Sequence, residues 1–498
     1  MTEVGDIKKA FRSRGLCVVI PTYNNVGTIR DVVVAVEDYC ADIIVVNDGS
    51  TDGTGEVLRK LPGITVINST PNRGKGHALK AGFRKALELG FTYAVTMDAD
   101  GQHYASELPH FLAANQAHPR SLIIGSRNLK GKDRPGKSKF ANEFSNFWFM
   151  VQTFHRLDDT QTGFRLYPLK RMGFFRHITA RYEAELELLV FASWNGVPIV
   201  PIPIEVYYPP RNERVSHFRP VADFMRISIL NTLLCVLAVV YGLPRCLLRH
   251  GTRVLRTTYS GIFFAAYTMF VATPFVWLAK CSRRDINSRL FCIHRLIWHF
   301  ARFVVFKHGI PGCKFRQDIK ENPDFDHPKI VVCNHQSHLD LMCLLTLSPR
   351  LVFLTNSRIW HNSIYGYLIR QAGYSSVAEG IDQLMPHLKA MVQRGYSIAI
   401  FPEGTRSADG TIGRFHQGAF YIAQQLGLDI LPIMLYGTGQ ALPKGRHLLK
   451  KGLLYMNVNS TLKQKELQQH GNCRQQAAWL RQQYARHYRV LCDHMDQE

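Results

Sequence analysis

Two pairs of residues in this chain have the types and spacing that catalysis needs. In YAVTMDADGQH, Asp98 and Asp100 lie two positions apart at the end of an apolar run. Alternate side chains of a strand project to the same side, so acids at that period aim their oxygens at one point. That donor set suits a hard divalent cation that also meets a diphosphate. In KIVVCNHQSHLD, His335 and Asp340 lie five positions apart, which does not place them on one face of a regular helix. Joint action therefore requires His335 in the turn before a helix, with Asp340 in its first turns reaching back to the imidazole. A carboxylate behind an imidazole fixes its tautomer and raises its basicity, and such an imidazole activates a hydroxyl for acyl transfer. His338 has no third metal ligand nearby and reads as a polar residue at a helix start.

Both pairs need strands that end at a shared edge. From Leu16 to about Pro209, short apolar runs (LCVVI, DIIVVN, ITVIN, YAVTM, SLIIG) alternate with helix-period segments such as KGHALKAGFRKALELG. This is the pattern of an α/β domain with a mainly parallel sheet. VVIPTYNN delivers Pro21, Tyr23 and Asn24 from one run, and IIVVNDGSTDGT delivers Asp48 from the next. Open parallel sheets bind ligands beyond the carboxyl ends of their strands, which groups these segments with Asp98 and Asp100. NRGKGHAL adds Lys75, a phosphate contact; its GKG resembles part of a dinucleotide loop whose other residues are missing. Alternation returns from about Lys307 to Ser460, where KIVVCN, RLVFLT, YSIAIFP and ILPIMLY read as strands of a second α/β domain. YSIAIFPEGTRS sets Glu403, Gly404, Thr405 and Arg406 just past a buried strand, and Pro432 lies in ILPIMLY.

The length of 498 residues predicts two or three domains. Its expected organisation is a basic leader (1–15), a first domain (16–220), an apolar and basic linker (221–306), a second domain (307–465) and a terminal helix (466–498). With 46% apolar and 20% charged residues the chain is not compositionally disordered, and a mean hydropathy of −0.10 excludes a polytopic transporter. Lys+Arg number 61 against 38 Asp+Glu, a net charge of +23 that calls for an anionic partner. No groove-reading nucleic-acid module accompanies it. Instead Arg245, Arg249, Arg253 and Arg256 lie between the apolar runs Ile227–Leu243 and Gly261–Ala279, which suits an anionic membrane surface. Translocating four arginines opposes the positive-inside tendency, which favours a monotopic or re-entrant linker over a helical hairpin. In RLFCIHRLIWHFARFVVF, Leu290, Ile293, Ile297, Phe300 and Val304 form one stripe away from Arg295 and Arg302, the pattern of an interfacial amphipathic helix or of a core helix. Leu480, Tyr484, Tyr488 and Leu491 are at helical spacing in the tail. Eleven scattered cysteines without a CxxC pair suggest reduced thiols and no zinc site, and the polar N-terminus shows no signal peptide.

Residues of about 16–210 resemble family 2 glycosyltransferases of the GT-A fold, close in style to polyprenyl-phosphate sugar synthases. The resemblance implies that Pro21, Tyr23, Asn24 and Asp48 contact the base and ribose of a nucleotide sugar. Asp98, Asp100 and Gln102 would carry Mg²⁺ or Mn²⁺ against its diphosphate. DTQTGFRLYP, with Asp159, Gly163 and Arg165, matches the acceptor-side loop, and Arg211 and Arg214 match a mobile basic loop near a lipid-linked or phosphate-bearing acceptor. Transfer to a hydroxyl needs a general base, for which Glu185 is the candidate among Glu183, Glu185 and Glu187; three glutamates in a helical run also fit a solvated face.

The HxxxxD, FPEGTRS and proline-bearing strand together resemble the glycerolipid-type acyltransferases over about 300–460. This implies His335 as base, Asp340 as its orienting partner, Glu403 to Arg406 as the strip recognising acceptor and thioester, and no cofactor. Where family members acting on glycerol phosphates carry an Arg, this chain has AGYSSVAEG, which puts a glycerol-3-phosphate or lysophosphatidate acceptor in doubt. The expected whole is an α/β protein, a Rossmann-like GT-A domain and an α/β acyltransferase domain joined by a membrane-associated helical linker. It would act at the cytoplasmic face of a bacterial inner membrane, as in glycolipid or aryl-polyene lipid assembly. It would take a nucleotide sugar, a lipid acceptor and an acyl carrier protein or CoA thioester. The alternative is a polyprenyl-phosphate glycosyltransferase fused to a phospholipid acyltransferase with a separate substrate.

Overall fold

A computed structural model describes the chain except residues 1, 128–135, 173–178, 180, 182, 208–219, 283–284, 321–322, 356–359, 362–365, 377–379, 408–409 and 498. It divides into two compact units, Met1–Arg249 with Asp496–Glu498, and His250–Met495.

In the first unit β1 (Leu16–Thr22), β2 (Ile43–Asp48), β3 (Thr65–Ser69), β4 (Tyr93–Thr96), β5 (Leu122–Arg127), β6 (Arg165–Pro168) and β7 (Ile199–Ile204) form one sheet in the order β3-β2-β1-β4-β6-β5-β7. Every residue of β1 and β2 is buried, as a parallel sheet covered on both faces requires. One face packs Ile29, Val33 and Phe111, the other Leu79, Phe83 and Trp194. β6 alone runs antiparallel to its neighbours β4 and β5, pairing Thr96 with Arg165 and so laying the loop before β6 against the end of β4. The N-terminal segment expected as a leader is the helix Thr2–Ser13, whose Phe11 is buried in the first core.

In the second unit β8 (Cys313–Ile319), β9 (Ile330–Cys333), β10 (Leu351–Thr355), β11 (Ser375–Ser376), β12 (Ser397–Ile400), β13 (Ile430–Tyr436) and β14 (Gly452–Val458) follow the order β11-β10-β12-β9-β13-β14-β8. Among these strands only the β13–β14 pair is antiparallel. The helix Ile286–Arg302 turns Leu290, Ile293 and Ile297 into this core, so its stripe is that of a core helix rather than an interfacial one. The helix Cys473–Gln497 joins the same core through Leu480, Tyr484 and Tyr488. Its Tyr484 hydroxyl donates to the carbonyls of Val332 in β9 (2.8 Å) and Ile433 in β13 (3.0 Å).

The expected linker is not a separate unit. Residues 220–281 are helical, with π turns at Ala238–Gly242 and Thr268–Ala272. Within it, Met225–Cys281 is long and apolar enough to cross a membrane by length and composition.

Candidate functional sites

The first site is assembled at the carboxyl edge of β1, β2 and β4. Pro21 is buried in β1 and the chain emerges at Tyr23. Asn24 adopts a left-handed φ of 53°, which asparagine tolerates. Its N–H donates to Ser50 Oγ (2.9 Å) and its Oδ1 accepts the Thr51 N–H (2.8 Å), tying the β1 loop to the β2 loop. Asp48 is buried, and its carboxylate accepts the N–H groups of Gly74 (2.6 Å) and Arg73 (3.1 Å). An acid at a helix start satisfies orphan donors and complements the dipole, so Asp48 anchors the helix Lys75–Glu88.

That anchoring aims Lys75 at the acids just past β4. Its Nζ lies 2.6 Å from Asp98 Oδ1 and 3.1 Å from Glu185 Oε1. Burial alone would lower the ammonium's pKa, but the two carboxylates outweigh it and hold Lys75 charged, above its ordinary range. Burial would likewise raise Asp98, and Lys75 overrides it, so Asp98 sits below the usual carboxylate range. Asp100 moves up, through burial and then the charge of Asp98. Its Oδ1 accepts the Gln102 N–H at 3.0 Å. His103 was not anticipated, although it lies within the same motif. Burial pushes it down to about 4 and keeps it neutral, and its Nδ1 accepts the Asp98 N–H at 3.4 Å.

The Asp98 and Asp100 pair fits a divalent cation. The charge of Asp98 reaches the Asp100 carboxyl, the donors are hard oxygens, and among the described residues no third His, Cys, Asp or Glu completes a protein cage. Remaining positions would fall to diphosphate oxygens and water, the habit of Mg²⁺.

The acceptor-side residues point inward. Asp159 is buried and bound by both arms of Arg127 (Nε to Oδ2 2.6 Å, Nη2 to Oδ1 2.8 Å). Arg165 is fully buried, donating to the carbonyls of Thr162 (2.7 Å), Thr160 (2.8 Å) and Glu185 (2.7 Å). These two shape the loop rather than meet a ligand from it. Arg127 escaped notice, yet its place at the end of the run SLIIGSR follows the same strand-end rule. The solvated-face reading of the glutamates also fails: Glu185 and Glu187 are buried, and Glu187 accepts the Thr179 N–H at 3.2 Å. Arg211 and Arg214 lie outside the described residues.

Gly163 meets the Asp98–Lys75 pair directly. A Cβ there would stand 2.5 Å from Asp98 Oδ2 and 2.9 Å from Lys75 Nζ. Gly163→Ala should therefore displace both side chains and lower sugar transfer about 100-fold, read as nucleoside diphosphate release, with the fold retained by circular dichroism. Activity within twofold of the parent would show that the pair tolerates displacement.

The second site lies beyond the carboxyl end of β9. Asn334 anchors the turn, exchanging two hydrogen bonds with the Leu435 backbone (2.9 and 2.8 Å). His335 follows, and Asp340 sits in the first turn of the helix Leu339–Leu345. His335 Nδ1 is 2.9 Å from Asp340 Oδ2, and that oxygen also accepts the N–H groups of Gln336 and Ser337, each at 2.7 Å. Asp340 is 0% exposed and His335 20% exposed. Three donors converging on one buried oxygen fix the carboxylate and assign the Nδ1–H tautomer, which leaves Nε2 as the basic atom. The Phe401 ring stacks on the imidazole at 4.0 Å and 18°.

Glu403 is not part of an exposed recognition strip. It is buried, with Oε1 accepting the His335 N–H and Oε2 the Gly413 N–H, both at 3.0 Å. Burial raises its pKa. It positions His335 from behind. Gly404 then turns outward with φ 67°, a conformation glycine supplies freely, and Thr405 is exposed. Lys444 Nζ holds this turn, at 3.2 Å from Thr405 Oγ1 and 2.8 Å from the Arg406 carbonyl. His338 is lowered by burial, then by the charges of Arg406 and His335, and among the described residues it joins no metal-holding cluster. Sequence reasoning missed Gln336, whose amide donates to Gly410 O (2.9 Å) and Tyr488 Oη (2.6 Å). Glu403→Gln, which cannot accept both N–H groups, should lower the acyl-transfer rate about 10- to 100-fold and lower the thermal midpoint, by about 1–3 kcal/mol of stability. An unchanged rate would remove Glu403 from the support of His335.

The family model for glycosyl transferase family 2 matches residues 17–182. The undecaprenyl-phosphate mannosyltransferase of Micrococcus luteus is 30% identical over 203 residues, covering 37% of this chain and 81% of that one. This chain belongs to glycosyl transferase family 2. The polyprenol monophosphomannose synthase of Mycolicibacterium smegmatis is 34% identical, covering 38% of this chain and 75% of that one. The C-terminal part of this family 2 chain matches the acyltransferase family model over residues 314–436. There the chloroplast 1-acyl-sn-glycerol-3-phosphate acyltransferase LPAT1 of Arabidopsis thaliana is 32% identical over 187 residues, 36% of this chain. The chain spans about half (50%) of that relative's length.

Proposed function

We propose a bifunctional, membrane-associated transferase that moves a sugar from a nucleotide sugar to a lipid or lipid-like acceptor and an acyl group from a thioester to a hydroxyl of the same or a related lipid. The observation that carries this is the presence in one chain of two complete strand-end constellations, Lys75–Asp98–Asp100 and Asp340–His335. Relatives of both halves are named for lipid acceptors, and the apolar helix Met225–Cys281 supports membrane association. Two active sites confined to one lipid surface meet each other's product at high effective concentration.

In sugar transfer the acceptor oxygen bonds to the anomeric carbon as the bond to the diphosphate breaks. Asp98 and Asp100 would hold Mg²⁺ or Mn²⁺, which supplies neutralisation of the departing diphosphate's charge. Asp48 and Asn24 hold the loops on which the nucleoside would rest, and Lys75 keeps Asp98 ionised. Glu185 is paired with Lys75, which occupies one of its carboxylate oxygens. A phosphate acceptor, already ionised, requires no general base. In acyl transfer, His335 Nε2 takes the acceptor's hydroxyl proton as its oxygen bonds to the thioester carbon. The C–S bond then breaks and the proton passes to the leaving thiolate. Asp340 holds the imidazolium. Chelation by EDTA should abolish sugar transfer and leave acyl transfer unchanged, with added Mg²⁺ or Mn²⁺ restoring the first; sugar transfer that persists would remove the metal from the site.

The pairing of Glu185 with Lys75 favours a second reading, a polyprenyl-phosphate sugar synthase fused to a phospholipid acyltransferase with its own substrate. Mass spectrometry of lipid extracts from cells carrying the intact protein, Asp100→Ala or His335→Ala separates the two. One lipid losing a hexose-like unit in the first variant and an acyl chain in the second supports a pathway on one product. Unchanged glycolipid with altered bulk phospholipid in the second variant supports separate substrates.

A further inference from the structure

The second unit holds a cavity of about 260 Å³ that neither transfer reaction uses. It lies beside Gly373 and Arg394, just before the amino ends of β11 and β12, whereas His335 follows the carboxyl end of β9, which runs parallel to β12. Lys280, Arg289, Arg370 and Arg394 line it, over a floor that includes Leu290 and Met391. Among the described residues no acidic residue is in its lining. The acid nearest in sequence to Lys280 and Arg289, Asp285, has its Oδ2 engaged by the N–H groups of Asn287 and Ser288, both at 3.0 Å. Among the described residues none of the four cations forms an ion pair: Lys280 Nζ stands 5.4 Å above the Tyr367 ring, Arg370 donates to the Trp360 carbonyl, and Arg394 reaches only Met391 Sδ. Four like charges around one small hollow repel one another unless an anion joins them.

We propose that this cavity binds the headgroup of an anionic phospholipid at a membrane surface. Its volume suits one small headgroup rather than a nucleic-acid strand or a folded partner. Its apolar floor suits the glycerol and first methylenes that follow a headgroup phosphate. The source of the anion is set by what surrounds the opening. Lys280 lies in the last turn of the helix Thr273–Cys281, whose Trp277 and Leu278 are each 60% exposed, and Ile286 on the next helix is 56% exposed. Exposed tryptophan and leucine beside a lysine at the end of a long apolar helix are the side chains that seat at a bilayer interface, where the lysine reaches the headgroup layer.

The test is flotation of the full chain with vesicles of phosphatidylcholine alone or with one fifth phosphatidylglycerol. Arg289→Ala/Arg394→Ala should weaken binding to the anionic vesicles about 30-fold, at about tenfold or less per cation removed. Lys465→Ala/Arg474→Ala removes the same charge from exposed positions outside the cavity and should change binding less than threefold. Arg289→Lys/Arg394→Lys should retain most of the binding, which separates loss of charge from loss of fold. Equal weakening by both alanine pairs, or none by the cavity pair, would overturn the proposal by reducing the effect to net charge or to apolar insertion. Competition by soluble glycerol phosphate at millimolar concentration as strong as that by anionic lipid would also overturn it, assigning the cavity to a free phosphate.

Discussion

Replacing His335 by alanine lowers acyl transfer by about 10³- to 10⁴-fold and leaves nucleoside diphosphate release by the first site within twofold. The magnitude follows from what remains. Without the imidazole no group is placed to take the acceptor's proton, since the one carboxylate behind it, Asp340, is 0% exposed and Glu403 is turned toward two backbone amides. The substitution removes the stack on Phe401 and one of the three donors to Asp340, but the Gln336 and Ser337 amides still hold that carboxylate, so the fold is expected to persist by circular dichroism. Asp340→Asn is the sharper companion. An asparagine can no longer accept from the Gln336 and Ser337 amides and from His335 Nδ1 with one charged oxygen, so the tautomer is lost along with the turn. It should match His335→Ala in rate and exceed it in loss of thermal midpoint. Acyl transfer above one tenth of the parent in His335→Ala would sink the assignment.

Asp100→Ala is expected to abolish sugar transfer, by about 10³-fold, while acyl transfer is unchanged. The contrast with Asp98→Ala tests why. Burial and the neighbouring Asp98 raise the Asp100 carboxyl, so at neutral pH its ionised form opposes folding. Its removal should leave the midpoint of the metal-free protein unchanged or higher. Burial would raise Asp98 too, but Lys75 depresses it, so Asp98 contributes stability above the ordinary carboxylate range that is lost as pH falls through its lower folded value. Asp98→Ala should therefore lower the midpoint at neutral pH and leave Lys75 and Glu185 as a lone pair. Opposite stability changes with equal loss of sugar transfer would assign Asp100 to ligand binding and Asp98 to binding and structure together. A midpoint lowered equally by both variants would refute that division.

Strand ends were legible in the sequence because a buried run followed by polar residues fixes both an element and its exit point. Asp48, Asp98 and His335 all emerge where that rule puts them. Side-chain direction was not legible. Asp159, Arg165 and Glu403 have the composition of ligand contacts, yet each is buried and satisfied by groups far away in sequence, Arg127, the Glu185 carbonyl and the Gly413 amide among them. No local pattern separates a charged residue that greets a substrate from one that braces a loop. The stripe of Leu290, Ile293 and Ile297 left two readings open for a related reason, since a bilayer and a protein core demand the same periodicity. For the linker a further signal was present. Arg245, Arg249, Arg253 and Arg256 follow helical spacing themselves, which argues for continuation of the helix rather than a reversal.

The hydrogen bond from Gln336 to Tyr488 joins positions 152 residues apart. Closing so long a loop carries a large entropic penalty before any contact rewards it, and topologies dominated by such contacts mature slowly. The turn that carries His335 is thus braced by one of the most distant partners in its unit, whereas Asp98 meets Lys75 within a local strand–helix–strand segment. During refolding the carboxylate–lysine pair can form while the imidazole still lacks its brace, so the two chemistries of one polypeptide mature on different clocks.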